Sequence, residues 1–168
     1  MTRSPPCRRW SRAWQGSPDL DRGIRLAVDV GSVRVGVARS DPDGILAVPE
    51  VTLARDDQTL ARLADLVAEH NASIVYVGLP IGLDGRQGAA AETALAFAQE
   101  AAALLPTPVH VVDERLSTVT AQRAIRDAGR SSKESRAYID QAAAVVILES
   151  ALDRERADGT RAGRAVTV

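Results

Sequence analysis

The chain has 168 residues, enough for one domain with a sizeable buried core, and its 26% charged residues are typical of a globular protein. The formal net charge is −1, and residues 24–152 carry more acidic than basic side chains, so charge alone does not make this region a nucleic-acid binder. A single cysteine excludes an intramolecular disulfide framework, and no apolar run approaches the roughly 20 residues that span a membrane.

Residues 1–23 are rich in Arg, Pro, Ser and Gly and show no periodicity, which predicts a flexible N-terminal tail. Trp10 and Trp14, four residues apart among arginines, indicate either a short helix that grips nucleic acid or a partner, or simply a solvated tail; the second is favoured. Cys7 would be exposed in such a tail and could link a homodimer under oxidation. No apolar stretch follows the arginines, so a secretory signal is excluded and the cytoplasm is the expected location.

The first part of the predicted domain alternates along its length, as β-strands do. Valine-rich segments over 24–31 and 33–40, with a Gly-Ser junction, predict a β-hairpin. The sequence Asp-Pro-Asp-Gly at 41–44 is a strong turn signal, and residues 45–53 predict a third strand with Pro49 at an edge or a bulge. Together these segments predict three antiparallel strands in meander order.

The pattern then changes to alternating helices and strands. Helices are predicted over 57–70, 87–105, 117–128 and 134–152, and strands over 73–79 and 109–113. The predicted fold class is therefore α/β, with a mixed five-stranded sheet in which parallel strands extend the antiparallel three-strand meander, and with helices on both faces. The domain is predicted to span 24–152, and residues 153–168 are predicted to be a flexible C-terminal tail.

Asp29 is anomalous because it lies within an apolar strand. Alternation places Ala27 and Asp29 on one face of this strand and Leu26 and Val28 on the other. A carboxylate there is costly unless it is paired, hydrogen-bonded or bound to metal. A functional acid is favoured over the alternative, a strand-end aspartate that accepts loop N–H bonds.

Two further acids lie near the ends of predicted secondary-structure elements. Glu114 follows the strand at 109–113, and sites in open α/β sheets gather at the carboxyl ends of strands. The alternative is a solvated turn whose acids cap the next helix, and because Asp113 and Glu114 should point to opposite sides, only one is expected to face a site. Asp140 precedes the apolar helical stretch at 142–148 and is either a buried functional group or a complement to the helix dipole.

A functional role is better supported for the three acids together than for any one alone; they are Asp29, Glu114 and Asp140. Three converging carboxylates repel each other and would raise one another's pKa, a conflict that divalent cations remove. Mg²⁺ prefers oxygen ligands, and two such ions about 4 Å apart can activate water and stabilise the leaving oxygen of a phosphodiester. His70 and His110 do not form a zinc-type pattern with the distant cysteine, so we expect both to be structural or surface residues.

Four blocks of the sequence resemble the YqgF/RuvX family, whose members are described as Holliday junction resolvases and as pre-16S rRNA nucleases. They cover most of the chain from 24 to 152, in the family's order. The blocks are LAVDVGSVRVGVARSD at 26–41, VGLPIGLDGRQG at 77–88, VVDERLSTVTA at 111–121 and KESRAYIDQAAAVVILESAL at 133–152.

The resemblance implies a ribonuclease H-like fold and assigns Asp29, Glu114 and Asp140 as a catalytic, metal-binding triad with Mg²⁺ or Mn²⁺. On this hypothesis Asp29 bridges the metals, while Glu114 and Asp140 each complete one metal's shell. Phosphate contacts are hypothesised for four basic residues, each of which could instead be a plain surface charge: Arg34, Arg86, Arg115 and Lys133.

Several functions remain open at this point. The expected partner is nucleic acid, either an RNA precursor trimmed at its 5′ end in ribosome biogenesis or branched DNA resolved by a symmetric homodimer. A second class is a non-catalytic nucleic-acid or protein binding module, against which the presence of all three acids argues. A third is a sugar kinase or chaperone-type ATPase, which needs two such lobes and about twice the length; the glycine-rich loop at 78–85 also lacks nucleotide-binding spacings.

Overall fold

The computed structural model describes residues 20, 22–80, 88–113 and 133–167. The predicted N-terminal tail, apart from its last residues, and the predicted helix over 117–128 lie outside the described residues, as do Cys7, Trp10 and Trp14. Within the described ranges the chain forms one mixed sheet with helices packed against it.

The sheet has six strands in the order β3-β2-β1-β4-β5-β6. Strands β1, β2 and β3 pair antiparallel, β4 and β5 extend β1 in parallel, and β6 pairs antiparallel with β5. The predicted meander extended by parallel strands is therefore confirmed, and the predicted number of five strands is one too few. The strands are β1 (Arg25–Val30), β2 (Arg34–Ser40), β3 (Ala47–Ala54), β4 (Ile74–Leu79), β5 (Val109–Asp113) and β6 (Arg164–Ala165).

The turn between β2 and β3 follows its sequence signal. The Asp41 carboxylate accepts N–H bonds from Ile45 and Leu46 at 2.7 Å each, and Gly44 N–H donates to the Asp41 carbonyl at 3.1 Å. Gly44 has φ +66°, a left-handed conformation that glycine adopts without steric cost. This turn therefore helps to set the register between β2 and β3.

Helices cover both faces of the sheet, as predicted. Helices α1 (Thr59–Glu69) and α2 (Ala89–Leu104) pack on one face, over Leu26, Val28 and their neighbours. Helix α3 (Lys133–Asp158) packs on the other face, over a smaller cluster that includes Ala27, Ala38 and Tyr76. None of the helices described in this structure is long and apolar enough to cross a membrane.

The predicted flexible tail over 153–168 is wrong for the part that the structure describes, which reaches residue 167. Helix α3 continues to Asp158, and the chain then returns along β5 as β6. Gly163, at φ +73°, lies so close to β5 that a Cβ would sit 2.2 Å from the Val111 carbonyl oxygen. The buried Ala162 and the backbone pairing with β5 order this segment, although it has no apolar periodicity.

Candidate active site

The hairpin formed by β1 and β2 directs Asp29 toward helix α3. Leu26 and Val28 belong to the core beneath α1 and α2, whereas Ala27 belongs to the core beneath α3. Because side chains alternate along a strand, Asp29 follows Ala27 onto the α3 face, where it is half-buried. The orientation expected from the sequence is therefore the one that the fold produces.

Gly36 brings the backbone of α3 against this hairpin. It lies directly opposite Asp29 in the β1–β2 register. A Cβ built on Gly36 would sit 2.0 Å from the carbonyl oxygen of Asp140 and 2.4 Å from its carbonyl carbon. No side chain fits there, so glycine permits the close approach of helix and strand. Since Asp29 and Asp140 both neighbour Gly36, the fold brings together two predicted site acids that are far apart in the sequence.

Arg34 contacts the acid on the helix. Its Nε donates to Asp140 Oδ2 at 2.6 Å, across 106 positions of sequence. Arg34 lies two residues from Gly36 on β2. Side chains alternate along a strand, so Arg34 is on the same face of the sheet as Gly36 and on the side where α3 packs. The two side chains are 30% and 24% exposed, so solvent and ligands reach this ion pair.

The carboxyl end of β5 immediately precedes the predicted acid Glu114 in the sequence. Val112 packs in the core beneath α3, whereas Val109 and Val111 pack in the opposite core. Asp113 shares the face of Val109 and Val111, and is opposite Leu79 in the parallel register with β4. Asp113 therefore does not share the α3 face with Asp29.

The remaining predicted site residues lie beyond what the structure describes. Glu114, Arg115 and Arg86 belong to the undescribed ranges, and Lys133 begins α3 while its side chain is not described. Among described residues there is no group of three His, Cys, Asp or Glu side chains placed to hold a metal ion. The described part of the candidate site is thus Asp29, Asp140 and Arg34 around Gly36.

Both histidines have structural partners away from this site. His70 Nε2 lies 3.0 Å from Glu50 Oε1, and the same carboxylate accepts from Arg39 Nε at 2.6 Å. His110 Nδ1 lies 2.8 Å from the carbonyl oxygen of Ala162, next to β6. Their expected structural or surface roles agree with these contacts.

Sequence reasoning missed a buried polar cluster at the opposite end of α3. Glu155 is 3% exposed and accepts hydrogen bonds from Arg25 Nε at 3.1 Å, from Arg161 at 3.0 Å and from the Tyr76 hydroxyl. Burial, and then the neighbouring Glu155 carboxylate, raise the pKa of the Tyr76 phenol. This polar cluster, Arg25, Tyr76, Glu155 and Arg161, ties α3 and the segment before β6 to the sheet.

Comparison with known proteins gives the family. The sequence model of RuvX, described as "Holliday junction resolvase", matches residues 23–154. A protein of Mycolicibacterium paratuberculosis named "Putative pre-16S rRNA nuclease" is 54% identical over 88% of this chain and 92% of its own length. A protein of Streptomyces coelicolor with the same name is 51% identical over 90% of this chain and 92% of its own length.

The fold resembles that of a protein of known structure, RuvC. The structure of T. thermophilus RuvC in complex with Holliday junction substrate superposes with a TM-score of 0.55, covering 86% of this chain and 99% of that one, at 14% sequence identity. A second structure of Thermus thermophilus RuvC gives a TM-score of 0.52 at 16% identity. At such identities the likeness establishes the shared fold.

The expectation drawn from the four sequence blocks is confirmed at the level of family, fold and reaction class. The chain belongs to the RuvX family, and is accordingly a phosphodiester-hydrolysing nuclease with a ribonuclease H-like, RuvC-like fold.

Proposed function

We propose that this nuclease hydrolyses phosphodiesters at the candidate site around Gly36, with Asp29, Glu114 and Asp140 as its catalytic acids. The observation that carries the proposal is the approach of the α3 backbone to Gly36, opposite Asp29. This contact sets two half-buried acids from different elements beside each other.

The carboxylate oxygens of the candidate site are ligands that suit a hard divalent cation. Asp29 and Asp140 offer carboxylate oxygens from two elements, and the sequence prediction adds Glu114, which lies outside the described residues, as the third acid. These three residues would hold Mg²⁺ or Mn²⁺. When bound, such a cation supplies Lewis-acid stabilisation of phosphoryl oxygens and lowers the pKa of a coordinated water.

The protein's own residues orient and neutralise the substrate. The half-buried position of Asp29 leaves its side chain partly accessible, so a scissile phosphate can approach the acids. Arg34, and by hypothesis Arg86, Arg115 and Lys133, provide cationic groups for phosphate oxygens, which position a nucleic acid without reading its sequence. The acidic balance of 24–152 makes such local contacts necessary for binding.

We favour a ribosomal RNA precursor as the substrate, trimmed at its 5′ end during ribosome biogenesis in the cytoplasm. The names of relatives that align over about nine-tenths of the chain support this choice. Resolution of four-way DNA junctions is the alternative, supported by the family description and by the RuvC complex with junction substrate. Junction resolution needs two symmetric cuts and hence a homodimer, for which an interchain Cys7 disulfide is one hypothetical link.

A side-by-side cleavage assay tests the proposal. Wild-type protein is incubated with 16S rRNA precursor and with a four-way DNA junction, each with Mg²⁺, with Mn²⁺ and with chelator. Asp29→Asn is the test variant. Asp65→Asn is the matched control, because Asp65 is exposed on α1, on the other side of the sheet.

We expect divalent-dependent cleavage of the RNA precursor that Asp29→Asn abolishes and Asp65→Asn retains. Paired symmetric nicks in the junction, with an intact RNA, would overturn the substrate and favour resolution by a dimer. Cleavage at full rate by Asp29→Asn would overturn the mechanism. Nucleic-acid binding with no cleavage of either substrate and no divalent-metal binding by calorimetry would favour the non-catalytic binding module.

A further inference from the structure

The ion pair between Arg34 and Asp140 engages one of the proposed metal ligands. The guanidinium Nε lies 2.6 Å from Asp140 Oδ2, which is the length of a strong charge-assisted hydrogen bond. A guanidinium this close to Oδ2 weakens the attraction of the Asp140 carboxylate for a divalent cation, since the two positive groups repel each other when both approach it. Arg34 therefore stands where it opposes cation binding through Asp140.

We propose, on the basis of the function proposed above, that Arg34 and a divalent cation compete for Asp140, so that Arg34 weakens cation binding until a substrate phosphate draws it away. The cation then replaces one positive partner of Asp140 with another, and the guanidinium passes from a carboxylate to a phosphate oxygen. Both are bidentate acceptors that suit the guanidinium fork.

The exposure of this ion pair favours exchange. The side chains of Arg34 and Asp140 are 30% and 24% exposed, whereas those of the Arg25–Glu155 pair in the polar cluster are 5% and 4% exposed. A partly exposed pair contributes little net stability and can break without leaving a charge buried in an apolar surrounding. The Arg25–Glu155 pair, in contrast, cannot exchange partners without leaving a charge buried.

Competition also couples cation and substrate. If phosphate binding removes Arg34 from Asp140, the nucleic acid raises the cation affinity, and by thermodynamic reciprocity the cation raises the nucleic-acid affinity by the same factor. The site would then bind its cations mainly when a nucleic acid is also bound. Little cation-loaded enzyme would exist without substrate, which limits indiscriminate hydrolysis.

Calorimetric titration of the substrate-free protein with Mn²⁺ tests the competition without any measurement of activity. Arg34→Met removes the guanidinium and retains an unbranched stem, and Arg34→Gln is a second, neutral variant in case the first disturbs folding. Arg39→Met is the matched control. Arg39 lies on the same strand and on its other face, donates to Glu50 over the same 2.6 Å, and its removal changes the net charge equally.

We expect Arg34→Met and Arg34→Gln to bind Mn²⁺ about threefold to tenfold more tightly than wild type, the range expected for release of a partly exposed ion pair. Arg39→Met should stay within about twofold of wild type, since that pair lies on the other face of the strand. Equal or weaker Mn²⁺ binding by both Arg34 variants would overturn the competition and leave the proposed catalytic acids standing. Absence of Mn²⁺ binding by every variant would overturn the metal mechanism itself, and the competition with it.

The coupling has its own measurement. Fluorescence anisotropy of a labelled single-stranded RNA oligonucleotide is followed with and without Ca²⁺, a divalent ion chosen to bind at carboxylates. Ca²⁺ should tighten binding to wild type and to Arg39→Met, and the enhancement should shrink at least twofold in Arg34→Met. An undiminished enhancement in Arg34→Met would contradict the proposed exchange.

Discussion

Two acids flank the residues of helix α3 that pack on the sheet, and they differ in solvent exposure. Asp140 and Glu155 are 15 residues apart, about 22 Å along the helix. Between them lie the buried residues Ala144, Ile147, Leu148, Ala151 and Leu152. Glu155 is closed off within the polar cluster, whereas Asp140 is partly open and contacts Arg34.

The two carboxylates also differ in the partners that surround them. At the Glu155 end, three donors saturate a buried acid, so exchange of partners would expose uncompensated charge. At the Asp140 end, the acid keeps contact with solvent and lies against a glycine that admits no side chain. The first arrangement fixes the helix on the sheet, and the second leaves an acid accessible from solvent.

Replacement of the open acid should have the largest effect on catalysis. Asp140→Asn removes one negative charge from the proposed metal site, and we expect cleavage to fall on the order of a thousandfold, because several kcal/mol of transition-state stabilisation depend on the cation. Thermal unfolding should change little. Asp153→Asn, on the exposed side of the same helix, is the control for kinetics. Activity within threefold of wild type in Asp140→Asn would remove this acid from the site.

Replacement of the closed acid should affect stability instead. Glu155→Gln leaves Arg25 and Arg161 without their counter-charge in a buried setting, and we expect the free energy of unfolding to fall by about 3 kcal/mol. Chemical denaturation measures this loss, with Glu149→Gln, exposed on the same helix, as the control. The folded fraction should cleave at the wild-type rate; a specific loss of activity at unchanged stability would reverse the assignment of the two ends.

The glycine contact should couple both properties. In Gly36→Ala, the new Cβ must displace the α3 backbone near Asp140, so we expect about 1–3 kcal/mol of destabilisation from overpacking, together with at least tenfold slower cleavage. Denaturation and cleavage are measured on the same samples. Gly88→Ala is the control, because a Cβ at Gly88 meets nothing within 4 Å. Wild-type kinetics in Gly36→Ala would show that the close approach does not set the geometry of the acids.

The smallest expected effect concerns the hydroxyl of the polar cluster. The Tyr76 hydroxyl donates to Glu155 and accepts the N–H of Ala162 at 3.3 Å, so Tyr76→Phe should cost about 1–2 kcal/mol of stability at neutral pH. Because its folded pKa is raised above 10.0, the neutral phenol supports the fold below that pH, and this support is lost as pH rises further.

Denaturation at pH 7 and at pH 10.5 measures this pH dependence. Wild type should lose stability over this interval by more than Tyr76→Phe does, because only wild type has a phenol here, and this phenol ionises at lower pH in the unfolded chain than in the fold. Equal losses in the two proteins would show that the phenol does not govern the alkaline limit of the fold.

Much of the fold was predictable because its periodic signals are local. Strands β1, β2, β4 and β5 and the described helices follow alternation or helical spacing that is visible in the sequence. Strand β6 has two residues and no periodicity, and only its pairing with β5 defines it. The last turns of α3 are charged, so the predicted end at residue 152 preceded the observed end at Asp158; the partners that bury Glu155 lie far away in sequence.

The candidate site was predictable as residue types but not as contacts. Asp29 and Asp140 stood out because each interrupts or borders an apolar pattern. Gly36 offered a weaker signal, a residue without a side chain in a valine-rich strand on the face of Asp29, which is typical of close backbone approach. The pairing of Arg34 with Asp140 spans 106 positions, and no local pattern encodes it.

The packing of α3 on Gly36 also bears on when the proposed site can form. The proposed acids lie in the first strand and in the last helix, so their meeting depends on contacts of long sequence separation, which form late. A nascent chain that exposes only β1 to β5 has Asp29 but lacks Asp140, so on the proposed assignment it would be inactive. Catalytic competence would then require that α3 has been synthesised and has docked on the sheet.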